Sequence, residues 1–347
     1  MSCTKKWIIA LMAASLLALT LAGTAAAYEK YPGKGKTAVP ARCTWDTGFF
    51  QEALVRRALA ELGFNIKEPA SMSNPIFYQA VSFGDVDYWA HGWMPNHKNQ
   101  LPKNFNKGAE IVGYLIKAGG LQGYLVSKQE VEELNIKSLD DFKRPEVKKR
   151  FDQNGDGKAD LVACPPGWGC EKVITHHFEA YDLDEHINPI KAQYAASIAD
   201  ALARYRDGGS VFFYTWAPNW TVNKFEPGKD VMWVNVPEIK PLGTQAEAKE
   251  RMTVSGIEGA VSDPVKLGFV VSDIRIVASK RFLNTNPAAR KLFEVMTIPV
   301  ADVNAQNNKM FEGENSWKDI ERHVDEWIED NQEKWNGWLE EARNAAN

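Results

Sequence analysis

Cysteine is scarce in this chain: four in 347 residues, with no C-x-x-C pair among them. So large a protein is not held together by so few; a single bridge would shape a local loop. An excess of one charge is also missing. Lys and Arg number 41 against 45 Asp and Glu, a formal net charge of −4, which excludes a nucleic-acid-binding or polybasic membrane-surface protein. Neither a P-loop nor a G-x-S-x-G motif occurs, so the sequence offers no phosphate cradle of that kind and no nucleophile elbow. Beyond residue 27 no apolar run is long enough to span a bilayer.

What is present begins with a leader. Lys5 and Lys6 form a charged n-region, Ile8–Leu21 an apolar core, and Ala25-Ala26-Ala27 a small-residue cleavage site before Tyr28. These are the three parts of a secretory signal. The rival is an uncleaved N-terminal anchor. Cys3 lies too early for lipid attachment after cleavage. Cleavage after Ala27 removes two lysines and no acids, so the net charge of −4 becomes −6. Export permits disulfides. Cys164 and Cys170 can close a short ring, which leaves Cys43 either buried or a reactive thiol.

The remaining chain alternates strand and helix patterns. A strand in 36–45 precedes a helix over Gly48–Leu62, with Phe50, Leu54, Ala58 and Leu62 on one face. A second helix, Asn74–Phe83, has Pro75 in its first turn. Asp85–Trp93 reads as a buried strand, and Ala109–Lys117 and Gly123–Ser127 as two more, flanking Gly119-Gly120. This alternation predicts an α/β fold with a mostly parallel sheet. Character changes near residue 128 and returns near 265. A second lobe, 126–264, is thus inserted into a first built from 28–125 and 265–347. Two crossings make a hinged clam shell with ligand held between the lobes. The end, Ser316–Ala345, is a long amphipathic helix or helix pair, whose tryptophans are core or docking residues.

The chain is organised around Asp160–His177. A strand end leads into a loop bounded by Cys164 and Cys170, stiffened by Pro165 and Pro166, with Trp168 at its centre and a helix starting near Glu171. Gly169 and Cys170 place free backbone N–H groups at a helix N-terminus, an anion site. A flat π face beside an anion hole suits a zwitterion with a quaternary ammonium and a carboxylate; a stapled surface loop is the alternative. Trp93 in GWMPNH and Trp216 in YTWAPNW also sit where strands end, the place α/β sheets keep ligands. A quaternary ammonium donates no ordinary hydrogen bond, so aromatic faces are what can hold it. Three ordinary core tryptophans are the competing reading.

Several long motifs occur together: PGKG (32–35), WxPxH (93–97), FDxNGDGKADL (151–161), CxPGWGCE (164–171), FxYTWxPxW (212–220), PGKDV (227–231) and NPAARKLF through PVADVNAQN (286–307). With them the chain resembles, nearly end to end, the ProX-type periplasmic glycine betaine/proline betaine-binding proteins, substrate-binding components of ABC importers. The resemblance implies a two-lobed periplasmic binding protein fold of type II-like topology, with the ligand cleft between the lobes. It implies a tryptophan box of Trp93, Trp168 and Trp216. It gives carboxylate contacts to His97 and to the backbone of Gly169 and Cys170, and it pairs Cys164 with Cys170. It implies a monomer without catalytic residues or cofactor, which hands its ligand to an ABC permease and its ATPase at the inner membrane. His97, if protonated, would pair with the carboxylate and make affinity depend on pH near 6–7.

Some residues depart from that pattern or sit outside it. Cys43, Trp89 and His91 are untypical near the presumed site, and Trp45, Tyr214 and Trp220 can also line the cleft. Any of these can turn the pocket toward another betaine, choline or a sulfonium compound. Asp152, Asn154, Asp156 and Asp160 match the first half of a calcium loop, but Ala163 stands where the bidentate Glu belongs. A rigid Asx-turn loop is the alternative to a calcium site. His176-His177 faces two ways on a helix and lacks partners for a metal. The rival in another class is an exported thiol oxidoreductase using Cys164 and Cys170, against which their spacing speaks. A periplasmic sensor of the same fold is a third reading.

Overall fold

The structure, a computed structural model, describes residues 30–346. The expected leader and its cleavage site lie outside the described residues. Among them no helix is long and apolar enough to cross a membrane.

A central sheet carries seven strands: β1 (Tyr88–Met94), β2 (Ala109–Ser127), β3 (Ala159–Val162), β4 (Ile187–Ile190), β5 (Phe212–Ala217), β6 (Val231–Val234) and β7 (Ser272–Ser279). Their order is β1-β7-β2-β5-β3-β4, with β6 also paired to β2. All seven residues of β1 are buried, as its apolar run requires of a strand covered on both faces. The expectation of a mostly parallel sheet is not met. β7 runs antiparallel to β1 and β2, and β5 and β6 run antiparallel to β2; only β3 is parallel to its neighbours β4 and β5.

The reason lies in β2. The two strands expected on either side of Gly119-Gly120 are one 19-residue strand. Its first part, Ala109–Gly120, pairs with β7, and its second, Leu121–Val126, with β5. One strand therefore serves both halves of the sheet and changes partner at Gly120. Bends at Gly113 (φ 56°) and Ala118 (φ 49°) accompany shifts in its register with β7. Gly120 also makes room. A Cβ there would stand 2.8 Å from the Trp93 ring and 2.9 Å from the Ser272 carbonyl. Its bare backbone lets Trp93 lie against the strand where the partners change.

The helices follow their sequence signals closely. Helix α1 (Phe49–Glu61) buries Phe50, Leu54 and Ala58. Helix α2 (Asn74–Phe83) takes Pro75 in its first turn and stops at Gly84, whose φ of 79° a side chain would resist. Helix α3 (Gly169–Ala180) begins two residues earlier than expected. The C-terminal segment resolves into a helix pair, Trp317–Asp330 and Gln332–Asn344. Trp327, Trp335 and Trp338 are buried there, while Trp317 is half-exposed, stacked on Phe49 with Arg42 over its ring.

Candidate binding site

The C-terminal ends of β1, β3 and β5 and the N-terminus of α3 converge on one cavity with about 310 Å³ of empty space. Trp93 reaches it from the end of β1 and Trp216 from the end of β5. Trp168 caps the start of α3, placed by a turn in which Gly167 adopts φ 88°. Trp45, from the turn before α1, supplies a fourth indole, and Tyr214 a further ring. Trp168 meets Trp45 at 5.5 Å and Trp216 at 5.4 Å, both edge-on. Its indole N–H donates to Thr44 Oγ1 at 3.0 Å, which spends the polar handle and leaves the ring face free. The four indoles are only 4–8% exposed. All three tryptophans expected from the sequence are therefore brought together. Of the three further aromatics, Trp45 and Tyr214 join them, and Trp220 instead packs on Phe311 at 4.6 Å.

The polar side of the cavity is formed by Gly169, Cys170, His97, Asn74, Asn96 and Gln122. Gly169 and Cys170 open α3, so their N–H groups precede the first intrahelical bond. The Cys164–Cys170 disulfide ties this helix start to the beginning of the preceding loop. Gly169 sits against the short turn Asn96–Gln100. A Cβ on it would come within 2.6 Å of His97 Cδ2 and 2.9 Å of Asn96 Nδ2. Hydrogen bonds cross the same contact. Gln245 Nε2 donates to the Asn96 carbonyl and side chain, Lys172 Nζ to the Asn99 carbonyl, and Gln100 Nε2 to the Gly167 carbonyl.

His97 does not fit the part of a protonated anchor. Gln100 uses its N–H on Gly167, so its oxygen accepts from Asn74 Nδ2 at 2.9 Å. The same Asn74 amide nitrogen stands 3.0 Å from His97 Nε2, which must accept. The proton then resides on His97 Nδ1 and is donated to the Tyr78 hydroxyl at 2.8 Å. Burial, with a smaller contribution from nearby His91, pushes the His97 pKa down to about 3. His97 lines the cavity as a neutral ring, and the expected titration near pH 6–7 is corrected accordingly.

The three untypical residues form a layer behind the cavity wall. Trp89 is fully buried and stacks on His97 at 6.1 Å. His91 donates from Nε2 to the Gly48 carbonyl, its pKa pushed down to about 4 by burial. The Cys43 thiol donates to the Trp45 carbonyl, and burial raises its pKa well above the usual range. That favours the inert thiol over the reactive one. Asn74, Asn96 and Gln122 were not singled out from sequence. Asn74 reads only as a helix start, Asn96 as a turn residue and Gln122 as a residue between two expected strands.

The acidic loop folds upon itself. Asp152 accepts from the backbone N–H groups of Gly155, Asp156 and Gly157, and Asp156 from that of Lys158. Asp160 accepts from Gln153 N–H and Asn188, and Asn154 donates to Asp156. These are Asx turns, and no metal-holding cluster of His, Cys, Asp or Glu occurs among the described residues. His176 and His177 diverge as expected. His176 turns to the Lys240 carbonyl, while His177 is buried between the Tyr124 hydroxyl and the Gly268 carbonyl.

Residues 36–330 match the family model of the substrate-binding domain of ABC-type glycine betaine transport systems. The chain is 40% identical over 341 residues to the glycine betaine-binding periplasmic protein OusX of Dickeya dadantii, covering 96% of this chain and 98% of the relative. It is 39% identical to the glycine betaine/proline betaine-binding periplasmic protein of Escherichia coli, covering 93% and 95%. Among solved structures, the glycine betaine, L-proline-binding protein of Borrelia burgdorferi superposes with a TM-score of 0.69 at 15% identity, covering 90% of this chain and 100% of that one. Lactococcal OpuAC, closed on glycine betaine, superposes with a TM-score of 0.65 at 19% identity, covering 88% and 99%. At these identities the structures establish the two-lobed fold.

Proposed function

This chain belongs to the family of substrate-binding domains of ABC-type glycine betaine transport systems, and from that premise we propose that its cavity captures glycine betaine or a closely related quaternary-ammonium zwitterion. The observation that carries the reading is the convergence of Trp45, Trp93, Trp168, Trp216 and Tyr214 on one cavity beside the first N–H groups of α3. A methylated ammonium offers no proton to a hydrogen-bond acceptor. It is held by ring faces, each contributing about 0.5–2 kcal/mol. Four indole faces then supply roughly 2–8 kcal/mol, where micromolar binding requires about 8. The carboxylate end supplies what remains, on the N–H groups of Gly169 and Cys170.

The proposed lobes are 28–125 with 265–347, and 126–264. The first contributes Trp45, Trp93, Asn74 and His97, the second Trp168, Gly169, Cys170, Tyr214 and Trp216. Neither half encloses the ligand alone, so binding and closure are one event. The closed, monomeric protein then presents both lobes to an ABC permease, with its ATPase behind the membrane, and the exported chain works in the periplasm. The ligand is carried unchanged, so no catalytic group is called for.

Calorimetric titration of the ligand-stripped mature protein with glycine betaine tests this, with choline and proline as comparisons. Micromolar one-to-one binding of the betaine, with choline and proline weak, is expected. Choline bound more tightly than the betaine would keep the aromatic cage and reject the anion site. Binding of none of the three would sink the reading.

A further inference from the structure

The cavity wall contains an amide donor that the site described so far leaves unused. Gln122 lies on β2 just past the point where that strand changes partners. It faces Trp216 across the ladder with β5. Residues directly opposite on paired strands stand on the same face of the sheet, as do residues two apart on one strand. Gln122, Trp216 and Tyr214 therefore form a continuous piece of the cavity wall, and all three line it. Gln122 is 2% exposed. Its Oε1 accepts from the Tyr214 hydroxyl at 2.7 Å, while its Nε2 is buried without a hydrogen-bond partner. An amide N–H left unpaired in a buried site is unfavourable, and such a group in a binding site calls for an acceptor from the ligand.

We infer that Gln122 reads the anionic end of the ligand: its amide N–H, oriented by Tyr214, donates to a ligand carboxylate and makes the cavity selective for quaternary ammonium compounds that carry one. This deepens the reading of the site given above and rests on it. Of the other polar side chains on the wall, His97 and Asn74 do not compete for the role. His97 accepts at Nε2 and donates from Nδ1 to Tyr78, so it has no N–H to offer. The unpaired atom of Asn74 is Oδ1, an acceptor, which repels a carboxylate and suits the positively polarised N-methyl groups instead. A carboxylate takes a charge-assisted bond from Gln122, stronger than the bond a neutral hydroxyl takes at the same place.

The test compares glycine betaine with choline, which has the same trimethylammonium head but a hydroxyl in place of the carboxylate. Calorimetry is run on wild type, Gln122→Met and Gln122→Glu. Gln122→Met keeps length and removes the donor. It should weaken betaine roughly 10- to 100-fold and choline less than about threefold. Gln122→Glu keeps shape and the acceptor for Tyr214 but sets a like charge against the carboxylate. It should lower the betaine-to-choline affinity ratio further still. Melting curves of the ligand-free variants check folding, and the near-isosteric Gln122→Glu serves if Gln122→Met fails to fold. Wild-type binding of betaine with an unchanged betaine-to-choline ratio in the folded variants would overturn the role of Gln122 alone. No betaine binding by wild type would overturn the parent reading, and the inference with it.

Discussion

Replacing Gly169 by alanine separates closure from folding. Gly169 opens α3 with a backbone outside the left-handed region, so alanine is compatible with its conformation. The obstacle is across the cleft. The new methyl would stand 2.6 Å from His97 Cδ2, 2.9 Å from Asn96 Nδ2 and 3.1 Å from His97 Nε2. Carbon contacts become favourable at about 3.5–4.0 Å, so the two sides must part by roughly 1 Å. His97 cannot yield alone. Its ring is fixed by Tyr78 and Asn74 and backed by Trp89. The strain falls on the closed arrangement, where parting also stretches the bonds from Gln245 to Asn96 and from Gln100 to Gly167. Overpacking of this size costs about 1–3 kcal/mol, which converts to a roughly 5- to 150-fold weaker affinity. The ligand-free protein, free to open, should melt within about 2 °C of wild type, since alanine in a helix is no worse than glycine. Calorimetry with glycine betaine and melting with and without ligand read both quantities. Affinity within twofold of wild type would refute the reasoning. So would a large fall in ligand-free melting temperature, which would place the clash in the fold itself.

Other perturbations address the remaining parts of the site. Trp93→Ala removes one face of the cage and should weaken betaine at least tenfold with the fold retained, checked by calorimetry and circular dichroism; near-wild-type affinity would count against the cage. Trp45→Ala should weaken it roughly 2- to 30-fold by loss of the fourth face, a change absent if Trp45 only packs. Betaine affinity should be flat from pH 5.5 to 8, because His97 is neutral throughout; a step near pH 6.5 would contradict its assigned hydrogen bonds. Stability behaves differently: burial holds His91 near 4 and His97 and His177 near 3, against about 6.5 in the unfolded chain. Below about pH 6.5 the unfolded state binds protons that the folded state does not, so stability falls between roughly pH 6.5 and 3. Glu52, raised to about 7 by burial, opposes this between about 4.5 and 7, leaving a net loss of at most about 3 kcal/mol per pH unit near pH 5.5. A melting temperature unchanged from pH 7.5 to 4.5 would refute it.

The convergence of tryptophans on the cavity was legible in the sequence only where a member announces itself locally. Trp93 and Trp216 each end a strand pattern and Trp168 centres the loop that follows one, all beside proline or glycine, and strand ends are where this class of sheet presents ligands. Trp45 has no such signature; it ends a stretch that reads as a strand entering a turn, and only the packing of α1 against β1 delivers its ring to the cavity. The sheet failed for a related reason. Alternation of strand and helix identifies the elements but not their direction, and Gly119-Gly120 looks like a break until the structure shows one strand pairing on both sides of it.

His97 shows most directly what residue identity leaves open. Its spacing from Trp93 places it beside the site, and an isolated histidine near a carboxylate invites a charge. Its protonation is set by residues remote in sequence. The Gly167 carbonyl fixes the amide of Gln100, Gln100 fixes that of Asn74, and Asn74 makes His97 Nε2 an acceptor. The first bond in this series joins the Asn96–Gln100 turn to the Trp168 loop. The tautomer of His97 is thereby set by a contact between two segments far apart in the chain. On the proposed reading, the anion is left to N–H groups that carry no formal charge, those that open α3 and the unpaired one of Gln122. A neutral donor set of this kind would hold a carboxylate by directed dipoles in a largely buried site, where such bonds are stronger than at a surface. If the proposed lobes part, water returns to those N–H groups and weakens their hold on a carboxylate, so release would follow from the same motion that admits the ligand.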